Sequence, residues 1–282
     1  MKKYILSVLL VILFAPTQAQ EQSQQVTTPT TWQLAKHDAK LMFGGLKYTY
    51  SRPFSWGQDD WAIAAGVVVG AAGLNIIDQQ TSDFFVKHEP DVPNIIKDFG
   101  WYFGSPQNNY GITGSVYLFG LFTKNEKIRR TGILMISAAS AAGLIQTVSK
   151  TVTGRARPSD GGKFSFKPFS NEGGYHSFPS GHTILSFTTF YALSKQFSNP
   201  WVKASLITAG MISPVSRLLA GAHWLTDVAL SLALTVAVVE SVDKYLDKEM
   251  GTLSEMEARK AKKKISWNLK LGAGSFGITG TF

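Results

Sequence analysis

The sequence predicts an all-α protein: a helical bundle of about six core helices, membrane-embedded, followed by a short C-terminal β-hairpin. Three observations predict it. Six apolar stretches are too long for ordinary strands and rich in Ala, Leu and small residues. Apolar residues make up 44% of 282, ample for a core. Only the last 18 residues or so switch to a period of two.

Taken in order, the chain begins with Lys2 and Lys3, the apolar run YILSVLLVILFA and the small-residue pattern TQA. This is the layout of a secretory signal peptide over 1–19, cut after Ala19; the alternative is an uncleaved anchor, for which the run is short. Residues 20–60 read as an N-terminal polar segment and lead-in, with a low-complexity linker up to Trp32. The helical domain covers 61–247, with helices expected at 61–77, 110–122, 132–149, 183–193, 204–222 and 225–239. Most are at or below the roughly 17–25 residues a span requires, and Asn75, Gln146 and Asp227 interrupt them. A buried soluble bundle is therefore the competing architecture. Residues 248–282 form a basic tail and hairpin: Ile265, Trp267, Leu269 and Leu271 alternate, Gly272 to Gly274 offers a turn, and Phe276, Ile278 and Phe282 resume the period.

The formal charge of +9 suits an anionic substrate, an acidic membrane surface or nucleic acid. Nucleic acid is excluded from the reading, because the basic residues are scattered among apolar helices without a recognition motif. The absence of cysteine removes disulfides, thiolate catalysis and cysteine metal sites together.

Against this background three segments stand out: KTVTGRARP with Lys150 and Arg157, FPSGHTILSF with Ser180, Gly181 and His182, and SRLLAGAHWLTD with Arg217, His223 and Asp227. Pro179 and Ser180 are helix-entry residues, and the unpaired amides of a first helical turn form an anion site that Gly181 leaves accessible. Lys150, Arg157 and Arg217 add three cations, two of them guanidinium forks shaped for phosphate oxygens. His223 and Asp227 stand four residues apart, which on a helix puts them on one face with the carboxylate in reach of the imidazole. A lone lysine at a helix end usually answers carbonyls, and His37, His88 and His176 carry no assigned role. Co-occurrence lifts the others.

In order and internal spacing, the three segments resemble the signature KxxxxxxRP, PSGH, SRxxxxxHxxxD of the type 2 phosphatidic acid phosphatase and vanadium haloperoxidase superfamily. All eleven signature positions agree, across residues 150–227. The resemblance implies a phosphatase in which His223 attacks phosphorus, Asp227 fixes the tautomer of that ring, and His182 protonates the leaving group and later activates water. It further implies that Lys150, Arg157, Arg217 and the Ser180 and Gly181 amides hold the equatorial oxygens. No metal or other cofactor is expected, and the partners expected are a membrane and a phosphorylated lipid or small phosphate ester; the oligomeric state is left open. Two other readings compete: a vanadate-dependent haloperoxidase with His223 as the vanadate ligand, and a non-enzymatic envelope protein with a dead pocket.

Topology gives one further expectation. Helices 183–193 and 204–222 form a hairpin that returns the third motif to the second, leaving the basic stretches 123–130, 195–203 and 258–264 at the opposite end. The positive-inside rule then faces the site outward, to the periplasmic side of a cell envelope. Three early spans after a cleaved signal give the opposite parity, so either one early stretch does not cross or the bundle is soluble. The loop DGGKFSFKPFSNEGGYH is a candidate gate, and Trp101, Tyr102 and Phe103 a candidate acyl-chain wall or ordinary core.

Overall fold

A computed structural model describes residues 29–250, 266–272 and 275–281. Among the described residues there are nine α-helices: α1 (Thr31–Ser51), α2 (Gln58–Ile76), α3 (Asp78–His88), α4 (Asn94–Gly104), α5 (Pro106–Phe122), α6 (Glu126–Thr153), α7 (Gly181–Ser194), α8 (Pro200–Leu219) and α9 (Leu225–Glu249). Each of the six expected stretches has its helix. The signal-peptide expectation and the basic stretch 258–264 lie outside the described residues.

Three helices were not legible as apolar runs. α1 lies within the segment read as a polar lead-in, and its apolar residues form a stripe rather than a block: Leu34, Leu41 and Gly45 are buried while Lys36, Lys40 and Lys47 are not. α3 and α4 have 11 residues each and are too short to register among polar neighbours. The expected helix 204–222 in turn overruns the observed end of α8 at Leu219, where Gly221 takes a left-handed φ of 58° and turns the chain.

Local chemistry explains the boundaries that matter. Asn125 caps α6 by accepting from the Ile128 amide, and Asn199 caps α8 ahead of Pro200. α6 stops at Gly154, whose φ of 53° suits glycine, and a Cβ there would overlap the Lys167 carbonyl. The core is the meeting of α6 with α1, α7 and α9: Ile133, Leu134, Ala138, Ala141 and Ala142 pack with Leu41, Ile184, Val238, Val239, Val242 and Leu246. The small residues of α6 let neighbouring backbones approach closely.

Three helices, Gln58–Ile76, Glu126–Thr153 and Leu225–Glu249, are long and apolar enough to cross a membrane. α2 settles which solvent this fold suits: it is apolar all round yet no residue of it is buried by protein. A helix of that kind is stable in lipid, not in water. At the C-terminus β1 (Ser266–Gly272) pairs antiparallel with β2 (Ser275–Thr281), with Gly272 opposite Ser275, in the hairpin the alternation predicted.

Candidate active site

The helix directions bring the three motifs to one end of the bundle. α6 ends there with Lys150, α7 begins there with Gly181, α8 ends there with Arg217, and the turn between α8 and α9 carries His223. Together with Trp101, Gly104, Pro106, Gln146, Leu185 and Ala222, the residues Lys150, Arg157, Gly181, His182, Arg217 and His223 line one cavity of about 260 Å3.

Each cation is held by neutral partners. Lys150 Nζ donates to the His176 carbonyl at 2.6 Å. Arg157 donates through Nε to the Gly173 carbonyl at 3.2 Å, leaving its terminal nitrogens to the cavity. Arg217 donates to Ser216 Oγ at 3.1 and 3.2 Å and lies over the Trp101 ring, 4.6 Å from its centre. Among the described residues no carboxylate lies within 4.0 Å of any of the three nitrogen groups. The carboxylates of this end sit behind the cavity instead, where Arg155 Nη1 donates to Asp227 at 2.6 Å and Arg155 Nη2 to Asp78 at 2.8 Å. Three positive charges thus face one space with no carboxylate paired to them, which is the electrostatics of an oxyanion site.

The two histidines face the same space. His182 packs its ring 5.0 Å from Trp101, and its Nε2 is buried without a partner. His223 is buried, and its Nδ1 lies 2.6 Å from the Ser177 carbonyl, which fixes Nδ1 as the protonated nitrogen and Nε2 as the one with a lone pair. Burial, then the charges of Lys150 and Arg157, push the His223 imidazole well below its ordinary 6.5, against a smaller upward pull from the Ser177 carbonyl. Near neutral pH this holds the ring in its neutral form.

Two expectations are corrected. His223 and Asp227 do not share a helix face: His223 precedes α9 and Asp227 is its third residue. The carboxylate stands 4.0 Å from Nδ1 and is committed elsewhere, accepting from Arg155, from Ser177 Oγ and from the Trp224 amide at 3.0 Å. Ser177 stands between the two residues, its hydroxyl donating to the Asp227 carboxylate and its carbonyl 2.6 Å from His223 Nδ1. Nor is the Ser180 amide free, since it donates to Ser231 Oγ at 2.9 Å; Ser180 is the N-cap of α7 and its hydroxyl accepts from Thr183. The open donors of that first turn are the amides of Gly181 and His182, which have no partner among the described residues. A Cβ on Gly181 would meet Gln146 Nε2 at 2.7 Å, so the glycine keeps this wall open.

Four residues of the site were missed. Gln146 stands one turn before Lys150 on α6, and that spacing marks it as a wall residue. Arg155 lies inside the first motif but between its fixed positions. Ser177 and Asp78 had no signal of their own, while Trp101, singled out with its neighbours as a candidate acyl-chain wall or core, lines the cavity. Asp78 is fully buried, accepting from Arg155, from the Thr226 amide at 2.9 Å and from Thr226 Oγ1 at 2.6 Å, across a separation of 148 residues. The glycine-rich loop is not a free gate: Ala156 donates to Ser165, Lys167 to Gly154, Phe169 to Thr151 and Arg157 to Gly174, all through the backbone. Trp101 and Tyr102 are not core either, being 53% and 61% exposed.

Residues 131–248 match the family model of the PAP2 superfamily. The chain is 34% identical over 105 residues to a Lipid A 1-phosphatase of Rhizobium etli, covering 36% of this chain and 44% of that protein. It is 37% identical over 95 residues to a Lipid A 1-phosphatase of Rhizobium johnstonii, covering 33% and 38%. The matched region thus spans less than half the length of these relatives. A crystal structure of Aquifex aeolicus LpxE is similar at 21% identity with a TM-score of 0.41, over 57% of this chain and 93% of that one. All three motifs gathered on this cavity lie inside residues 131–248, the region that matches the PAP2 superfamily model.

Proposed function

We propose that this protein is a phosphatase of the cell envelope that hydrolyses a phosphomonoester or pyrophosphate on a lipid, through a phosphohistidine intermediate. The carrying observation is the cavity itself: three cations unanswered by any carboxylate, two histidines, and two free helix amides. His223 Nε2 attacks phosphorus while Ser177 holds Nδ1–H. The bond from phosphorus to the ester oxygen breaks, and protonated His182 gives its proton to that oxygen. Water, deprotonated by His182, then attacks phosphorus, the bond to nitrogen breaks, and phosphate leaves with His223 restored. Lys150, Arg157, Arg217 and the Gly181 and His182 amides stabilise the equatorial oxygens throughout, the task a divalent cation performs in other phosphoryl-transfer sites.

A lipid substrate is supported by the relatives, which are named for lipid A, and by what adjoins the cavity. α4 and α5 supply Trp101, Gly104 and Pro106 to the cavity and Phe99, Tyr102, Phe103 and Ile112 to an apolar groove of about 410 Å3 beside it. An acyl chain fits the second while its phosphate occupies the first. The outward, periplasmic placement of the site is supported by the opposite end, where stretches 123–130 and 195–203 carry the basic residues.

The test is phosphate release by the purified full chain from a panel of lipid and soluble phosphates, with and without chelator, beside His223→Ala. Release that survives chelation and disappears in the variant is the expected result. Equal release by the variant ends the proposal.

A further inference from the structure

The loop between the first two motifs carries the sequence KFSFKPF, and its three phenylalanines point away from the protein: Phe164 is 72% exposed, Phe166 50% and Phe169 70%. Water is a poor solvent for three neighbouring aromatic rings, and a folded chain that holds them out has a surface to place them in. They are held out firmly. Phe166 bridges Arg155 through the backbone, and the Phe169 amide donates to Thr151 at 2.7 Å with Phe169 itself at a left-handed φ of 62°, a conformation bulky residues avoid unless the surroundings impose it.

The depth of this loop is set by Lys163. Its Nζ donates to the Asn75 carbonyl at 2.8 Å and the Ile76 carbonyl at 3.3 Å, the orphan acceptors at the C-terminus of α2. α2 is the helix that is apolar on every side and has no buried residue, and it ends with Ile76 69% exposed. A lysine tied to the end of a membrane span lies at the boundary of the hydrocarbon, and Phe164 adjoins it, with Lys163 Nζ 5.3 Å from its ring centre. Aromatic rings flanked by lysines, here Lys163 tied to α2 and Lys167 paired with Glu172, are the composition of the membrane–water interface.

We infer that Phe164, Phe166 and Phe169 form an interfacial anchor that inserts into the headgroup layer of a bilayer and seats the catalytic cavity at that depth. The cavity and the anchor are one construction, since the backbone bonds that fasten the loop run to residues 151–157, the segment that delivers Arg157. The inference stands on α2 as a membrane span and does not depend on the phosphatase reading.

Because the chain has no cysteine, single substitutions give unique labelling sites. Phe164→Cys, Phe166→Cys and Phe169→Cys, each carrying an environment-sensitive fluorophore, are reconstituted as full chains into vesicles of phosphatidylcholine and phosphatidylglycerol. The expected result is blue-shifted emission, quenched more strongly by nitroxides near the headgroup than by nitroxides at the bilayer centre. Quenching by aqueous iodide without effect of either lipid nitroxide places the loop in water and overturns the inference. Protection from both quenchers means that protein covers the loop, and also overturns it. Three positions guard against one variant that fails to fold, and catalysis is not the readout, so a failed activity assay leaves this test intact.

Discussion

The two ends of the bundle use the same side chains for opposite purposes. At the end away from the cavity, Arg129 lies 3.3 Å from Asp38, Arg130 pairs with Asp243 and Asp247, and Lys195 pairs with Glu240 and Asp243. At the cavity end Lys150, Arg157 and Arg217 have carbonyls, a hydroxyl and an aromatic face for company, but no carboxylate. A cation with a counter-ion in the fold stabilises that fold. A cation denied one is left for an anion that arrives from outside, and the mutual repulsion of three such charges is a cost the fold carries for function.

The sharpest way to break this comparison is at Arg129, which is fully buried together with Asp38, to which Tyr117 also donates at 3.2 Å. Arg129→Ala leaves a carboxylate buried without its partner and is expected to lose about 3–5 kcal/mol of stability, whereas Asp38→Leu with Arg129→Met recovers most of it. Thermal midpoints in detergent decide this, and a stable single variant removes the distinction between the ends.

At the cavity end the loss falls on rate. Arg157→Ala is expected to lower kcat/KM about 10²- to 10³-fold, or ~2.7–4 kcal/mol, while its thermal midpoint holds or rises as repulsion is relieved. A fall in midpoint comparable with that of Arg129→Ala would show Arg157 to be structural.

A surrogate anion sharpens the same point without chemistry. Orthophosphate at about one hundred times its Kd is expected to stabilise the wild type by about 2.7 kcal/mol, and to give Arg217→Ala much less at the same concentration. Equal stabilisation of both proteins would place the anion elsewhere.

The smallest expected effect is the pH dependence of stability carried by His223. Its imidazole is depressed in the fold, well below the 6.5 of the unfolded chain, so the unfolded chain takes up this proton first as pH falls. Stability from this site is therefore complete above pH 6.5 and declines below it, by up to about 1.4 kcal/mol per pH unit until the folded ring also protonates. Subtracting the profile of His223→Gln from that of the wild type between pH 5 and 7 isolates the contribution; no difference in slope would mean a ring that titrates normally.

The site was legible where chemistry is local. Lys150, Arg157, Gly181, His182, Arg217 and His223 could be singled out because they occur together in three short motifs, and all six line the cavity. The expectations that failed were those that assigned partners. Spacing alone paired His223 with Asp227, but a turn at Gly221 removed the shared helix face and Arg155 claimed the carboxylate. The Ser180 amide was open to an anion until Ser231, one turn into α9 beyond Asp227, filled it.

The sequence by itself determined that the chain is helical and which residues carry charge amid the helices, because periodicity, composition and motif are properties of neighbours along the chain. Only the tertiary structure decided which of those charges are neutralised. Arg129 and Arg157 are alike as sequence, each a basic residue near the end of an apolar run, yet one meets Asp38 and the other an empty space. Electrostatic pairing acts over a few ångströms in space, and separations such as the 148 residues from Asp78 to Thr226 leave no trace in the local pattern.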